Sequence, residues 1–558
     1  MRSSFFEFSV AVTGVFTARN AMHVSSHNIM NASTKGYSRQ YAEIKALDPL
    51  SFNNGRGMVG TGSYMYGVGQ HRSHFLDRKY WNEMPVYSEY TTKSMSLGLI
   101  QTIFNPSSKA GMSGLFNDFF DSLQDLSTTA GDPTYRVNAL KTAESMTKFI
   151  NNTALDLKRQ QDDLNTEIRS VVQAINSLGS QIASINDQIK RFEIDGARAN
   201  DLRDQRALLI DELSKFVNVS VEETERNPEY AAGKFPDPAD RGKSDKLLTI
   251  SINGYDFIKG DKVSPLEVRQ RQYEEKRNVT DVDGLYDIYF MNNGVKFDIY
   301  NPHLKGELRG LIDVRDGNDA RNTIPGMSTT SYKGVPHYMN KLNELVRVFA
   351  MAMNEGKTIR YDSQGNPEIV SITSPHVSGH ANGYDANGRN LGNFLFSNGR
   401  LNTLSHVPNP DDPYDDPYDE LYLWLNAENF QVNPALLDDP KLFASALHPD
   451  SDKDENQLVL ELINVKHFTG LFREGKLTDY IVGMTSELGI DIRQAESFKN
   501  NYNDVTTTIH NQRLAISGVD LNEEMIDVIK FQHMYQAASK LITIIDSIYD
   551  NLINRLGV

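Results

Sequence analysis

His71 and His74 stand three residues apart, with Asp77 three further on. These are residue types and a helical spacing that could begin a metal site, but the trio offers only two imidazoles and one carboxylate. With 13 histidines in 558 residues, such a pair is expected by chance, and it is read as a surface or packed pair. Asp411 to Glu420 reads DDPYDDPYDE, a density of carboxylates that suits weak calcium binding. It lacks the glycine at the sixth position of a calcium-binding loop and is read as a solvated acidic loop. Asp385-Ala386-Asn387-Gly388 opens like a calcium loop, but its twelfth position falls on Phe396, which cannot ligate, so a turn is expected. Gly55 to Gly69 contains Gly60-x-Gly62 without the third glycine or the leading strand of a dinucleotide site, and a turn-rich β segment is expected. No nucleophile elbow, phosphate loop or His-Glu-x-x-His is found in the sequence. The absence of cysteine excludes disulfides and thiolate metal sites. The chain is therefore expected not to be an enzyme, with no catalytic residue, cofactor or metal.

The strongest patterning lies elsewhere, in apolar rows at helical spacing. Phe8, Val15, Met22 and Ile29 recur every seventh residue, with the small Ala11, Ala18 and Ser25 between them. A helix is expected from about Ser4 to Asn31, and the small residues suit a close helical neighbour. At the other end Leu521, Val528, Tyr535, Ile542, Tyr549 and Leu556 form one row, and Phe531, Ala538, Ile545 and Leu552 the next. These are the a and d positions of a coiled coil. Met534, Leu541 and Ile548 widen the apolar face, so this helix needs more than one neighbour. Asp520 and Glu523 have capping-box spacing, and Ser517-Gly518 reads as a hinge. A third long helix is marked by Leu157, Leu164, Val171, Leu178, Ile185 and Phe192 with Ile168, Ile175, Ile182 and Ile189; Gln161 is the one break. Its expected partner is 202–216 or a later helix. Further helices are expected at 115–126, 340–353 and 487–516.

Residues 217–300 carry short apolar or alternating runs separated by Asn253-Gly254, Asp283-Gly284 and Asn293-Gly294, the signals of β-hairpins. Residues 358–449 are rich in Gly, Pro, Asn and Asp. The expected fold is mostly α with β-rich inserted domains: an axial coiled-coil core of paired N- and C-terminal helices, a helical-bundle middle domain and an outer β domain. The expected units are 1–80, the N-terminal axial helix and β segment; 81–216, helical with long coiled-coil helices; 217–304, the β-rich insertion; 305–357, a return to the helical domain; 358–450, the loop-rich insertion; 451–516, helical; and 517–558, the C-terminal axial helix. Removing either insertion is expected to spare the axial helices. The net charge of −16 shows no basic footprint for nucleic acid, and no apolar run is long enough to span a membrane. Met1 to Val15, interrupted by Glu7 and serines, does not read as a signal peptide.

Three blocks resemble flagellar axial proteins. Ser25-Ser26-His27-Asn28-Ile29-Met30-Asn31 followed by Gly36-Tyr37-Ser38-Arg39-Gln40 is similar to an N-terminal signature of rod, hook and junction proteins, with His27 where asparagine is commoner. Ser517 to Glu524, then Phe531-Gln532 and Tyr535-Gln536-Ala537, resembles the C-terminal block, with Gly518 in place of the usual asparagine and Phe-Gln in place of Gln-Arg. Asp201-Leu202-Arg203-Asp204-Gln205-Arg206, on to Leu213, resembles a segment of the FlgK family of hook-associated proteins. The resemblance implies an extracellular structural protein of the flagellum, exported through the type III apparatus without a cleaved signal. It implies a homo-oligomeric ring at the hook–filament junction. The implied partners are the hook protein, a second junction protein and an export chaperone. A hook or rod protein is the near alternative, and a secreted adhesin or hydrolase with coiled-coil termini the distant one. The two terminal helices are expected to be the assembly interface and to order on assembly.

Overall fold

The structure, a computed structural model, describes residues 6–52, 57–104, 111–193, 198–225, 246–320, 329–361, 367–399, 402–403, 422, 424–449 and 455–554. The acidic run 411–420 lies outside them, as do residue Leu556 and the side chain of Leu552.

Helix α1 (Phe6–Asn31) leads into an antiparallel hairpin, β1 (Gln40–Ala46) on β4 (Ser63–Gln70), with β2 (Leu50–Phe52) and β3 (Gly57–Val59) paired between them. The glycine-rich stretch is thus β structure, as expected. Four helices follow: α2 (His74–Phe104), α3 (Met112–Thr128), α4 (Pro133–Glu193) and α5 (Asn200–Phe216). The β region holds an antiparallel sheet in the order β5 (Val219–Glu225), β6 (Lys246–Ile252), β7 (Tyr255–Lys259), β8 (Lys262–Val263), and a separate pair, β9 (Leu266–Gln270) with β10 (Tyr286–Phe290). Asn253 and Gly254 join β6 to β7 with φ of 53° and 83°, the left-handed pair a two-residue hairpin turn requires. Helices α6 (Glu307–Asp316) and α7 (Val335–Glu355) return to the helical body. Then come β11 (Lys357–Tyr361) with β12 (Pro367–Ser371), β13 (Phe396–Ser397) with β14 (Gln431–Val432), and the short α8 (Pro434–Asp438). The chain closes with α9 (Gln457–Asn464), α10 (Leu477–Ser517) and α11 (Leu521–Asn554).

The apolar row of α4 is buried at Leu157, Leu164 and Val171, but Leu178 and Ile185 are only half-buried and Phe192 is 63% exposed. The seam passes instead to Ile168, Ile175, Ile182 and Ile189, all buried. A straight helix turns by about 20° against a seven-residue repeat in each repeat, so a row cannot stay on one face for 61 residues. Gln161, the break in the pattern, is buried for a different purpose. Its amide donates to Asp281 and to the Arg315 carbonyl, each at 2.9 Å, and its oxygen accepts from the Val282 N–H at 3.0 Å. It joins α4 to the β region and to α6.

Helix α2 had no clear signature in the sequence. It is covered by α10, α6 and α5, and it buries Asp77, Ser88, Glu89, Lys93, Ser94 and Ser96 beside its apolar residues, with Pro85 inside it. An element enclosed on several sides by polar partners has no apolar stripe to display. The loop-rich region also differs from a detachable insertion. Phe396 and Phe430 are wholly buried, and Phe396 packs on Phe349 of α7 and Phe119 of α3. Arg136 of α4 donates to the Phe443 carbonyl, and Asn151 donates to the carbonyls of Ala427 and Phe430. Removing 358–449 would uncover the helical core.

Candidate assembly interface

α1 and α11 pack along each other. Gly14 faces Ala538, and Arg39, just beyond the end of α1, reaches Glu524 near the start of α11; the helices are therefore antiparallel. The buried face of α1 is small or polar: Ala11, Thr17, Ala18, Ala21, Ser25 and Asn28. The expected row Phe8, Val15, Met22 and Ile29 is half-buried at its flank. The reason is close approach, because a Cβ on Gly14 would stand 3.5 Å from that of Ala538, a spacing that leaves large side chains no room between the axes. On α11, Ile545 is buried and Val528, Phe531, Ala538, Ile542 and Tyr549 are half-buried, whereas Leu521 and Tyr535 are exposed. Met534, Leu541, Ile544 and Ile548 form an exposed apolar row on the adjacent face. Within one chain the two helices meet along this small-residue seam.

At the foot of this pair the three sequence blocks converge. Asn28, wholly buried, accepts from the Gln40 N–H at 2.9 Å and from the Tyr37 hydroxyl at 2.7 Å, and donates to the Gln40 carbonyl at 2.8 Å. Burial and the nearby carboxylates of Asp201, Asp204 and Glu524 raise the Tyr37 hydroxyl far above its ordinary value, so it stays a donor. His27, the unusual residue of the block, sets its ring against that hydroxyl at 3.0 Å. Gln40 donates to Asp201 at 2.6 Å. Asp204 accepts from the Ser38 N–H at 2.7 Å, the Ser38 hydroxyl at 2.8 Å, Gln70 at 3.0 Å and Arg72 at 2.7 Å. Burial raises the Asp204 carboxyl above its ordinary range even with Arg72 and Ser38 pulling the other way. Such a pair fixes geometry more than it adds stability.

The network continues into α2 and α10. Arg72 also grips Asp77 at 2.8 Å, and its burial is more than offset by the two carboxylates. Asp77 in turn meets Arg513, near the end of α10, at 3.0 Å. Arg513 pairs with Asp211 at 3.0 Å, and Asp211 accepts the Trp81 indole N–H at 2.7 Å. Asp77 is thereby committed to two guanidiniums, while His74 is exposed and His71 packs its ring on Tyr41. Among the described residues no group of three or more side chains is placed to hold a metal ion. Asp385 accepts from the N–H groups of Asn387 and Arg389, a turn as expected. Asp520 caps α11 through the Asn522 N–H at 2.8 Å, but Glu523 does not complete a capping box; its carboxylate goes to Arg39. No sequence pattern announces Arg72 or Arg513 as partners of Asp204 and Asp211, since those bonds span more than a hundred residues.

Comparison with known proteins agrees with this convergence. The family model described as the flagellar hook-associated protein FlgK helical domain matches residues 97–369, and that described as the flagellar basal body rod FlgEFG protein C-terminal matches 510–556. Flagellar hook-associated protein 1 of Bacillus subtilis (strain 168) is 26% identical over 573 residues, covering 100% of this chain and 99% of its own. The Salmonella typhimurium and Escherichia coli (strain K12) proteins of that name are each 25% identical over 591 residues, at 98% of both chains. The solved flagellar hook junction protein FlgK from Burkholderia pseudomallei shares the fold, with a TM-score of 0.54 at 12% identity over 79% of this chain and 100% of its own. With its termini and central block joined at one node and its relatives matched along nearly their full length, the chain belongs to the FlgK family of flagellar hook-associated proteins.

Proposed function

We propose that this chain is a structural subunit of the bacterial flagellum, placed at the hook–filament junction, and that copies of it assemble through α1 and α11. The carrying observation is the exposed row Met534, Leu541, Ile544 and Ile548 beside a seam already filled by α1. One helix face is satisfied within the chain, and the other asks for a neighbour, since a row of this kind is a liability on a free surface. The interface residues in this reading are Phe8, Val15, Met22 and Ile29 at the flank of α1. On α11 they are Leu521, Val528, Phe531, Tyr535, Ala538, Ile542, Ile545, Tyr549 and Leu552, with Leu556 beyond. The partners are further copies in a ring, the hook protein, a second junction protein and an export chaperone, with export that leaves the N-terminus uncut.

Electron microscopy of cells lacking the gene tests this. Hooks without filaments, restored by the full-length chain, are expected; filaments still attached to hooks would refute it.

A further inference from the structure

Helices α10 and α11 are separated by only Gly518, Val519 and Asp520, and one residue touches both sides of that break. The backbone N–H of Arg39 donates to the carbonyl of Ser517, the last residue of α10, at 2.8 Å. Its guanidinium reaches forward to α11, to Glu524 at 2.6 Å, Glu523 at 2.7 Å and Asp527 at 3.8 Å. Arg39 is itself anchored to the body, because its carbonyl accepts the His71 N–H at 2.8 Å and its neighbour Ser38 is held by Asp204.

Three carboxylates on one face of the first turns of α11 repel one another when unpaired. Glu524 is buried, and among the described residues its Oε2 has no hydrogen-bond donor. A buried carboxylate oxygen in that state favours any movement that returns it to water. Gly518 adds a tight constraint of its own: a Cβ there would stand 2.5 Å from the Leu514 carbonyl oxygen, so the chain leaves α10 by a route that only a residue without a side chain follows unchanged.

We propose that Arg39 is a latch that sets the angle between α10 and α11, holding the terminal helix pair at one orientation to the body and freeing it to pivot at 518–520 when the guanidinium lets go. Closed, the three carboxylates share one cation; open, their repulsion and the solvation of Glu524 drive the helices apart. The latch is a property of the single chain and does not depend on what the terminal helices meet.

The absence of cysteine makes the test direct. Spin labels at Ser497→Cys on α10 and Gln536→Cys on α11, both exposed positions, report the distance between the helices by pulsed electron resonance on the monomer. The otherwise unaltered chain is expected to give one narrow distance distribution. Arg39→Gln is expected to at least double its width with helical circular dichroism unchanged, and adding Glu524→Gln to it, which removes the buried charge that drives the opening, is expected to narrow it again. A distribution for Arg39→Gln as narrow as that of the parent would overturn the latch. So would broadening accompanied by loss of helicity, which would make Arg39 a support of folding and not of orientation.

Discussion

Replacing Asp204 by alanine should loosen the whole foot of the terminal pair. Asp204 is 4% exposed and accepts four hydrogen bonds, two of them from Ser38 and one from Arg72, whose side chain is 10% exposed. Truncation leaves these donors buried without their acceptor, and Arg72 keeps only Asp77. Breaking a buried ion pair from one side costs roughly 3–5 kcal/mol, and the surviving Asp77 contact places this case near the lower end, at about 3 kcal/mol. Each 1.4 kcal/mol is about tenfold in an opening equilibrium, so amides that exchange through local opening of 38–46 and 63–70 should exchange on the order of a hundredfold faster. The assay is amide exchange by mass spectrometry on the full-length monomer, with α7, which shares no bond in this network, as the internal reference. Asp204→Asn, which keeps the shape and loses the charge, should fall between. Exchange in 38–46 within threefold of the parent would refute the claim that Asp204 anchors the N-terminal block.

Ile545→Asp puts a charge at the most buried apolar position of α11, at a cost of about 3 kcal/mol; α1 should detach while α4 and α7 stay folded, read by exchange, and junction assembly should fail. Gln161→Leu repairs the apolar row of α4 yet should destabilise the chain by about 2 kcal/mol, because it strips partners from Asp281, Val282 and Arg315; a raised melting temperature would contradict this. His380 is wholly buried and neutral, its Nδ1–H donating to the Asn393 carbonyl at 2.7 Å and its Nε2 accepting the Ala444 N–H at 3.0 Å, and burial pulls it from 6.5 to about 4. The unfolded chain therefore takes up the proton first as pH falls. Stability is complete above about 6.5 and declines by about 3 kcal/mol towards pH 4, a slope that His380→Gln should remove in denaturant titrations.

The helices at both ends were legible because each carries a repeat that only burial explains, and the turn at Asn253-Gly254 because few residue pairs accept two positive φ angles. Which row lies in the seam was legible only in part. In α1 the small Ala11, Ala18 and Ser25, read as suiting a close neighbour, do line the seam with Ala21, but the large row Phe8, Val15, Met22 and Ile29 lies half-buried at its flank, since residue size says how much surface asks for burial and not how near the partner comes. For α2 even the element was hidden, because its environment is polar on several sides and Lys93 is buried between Glu89 and Asp313.

The polar node shows a different limit. Gly36 to Gln40, Asp201 to Arg206 and Ser517 to Glu524 stood out as blocks, but nothing in one sequence says that they meet. Geometry explains why they should be distinctive together. A carboxylate such as Asp204 that serves four donors tolerates no change in any of them without leaving a buried group unpaired. Apolar seams accept many substitutions of similar volume, which a node of directed hydrogen bonds does not. The residues that fix how the ends of this chain are joined to its body are thus held by hydrogen-bond geometry, and the apolar rows beside them by volume and burial.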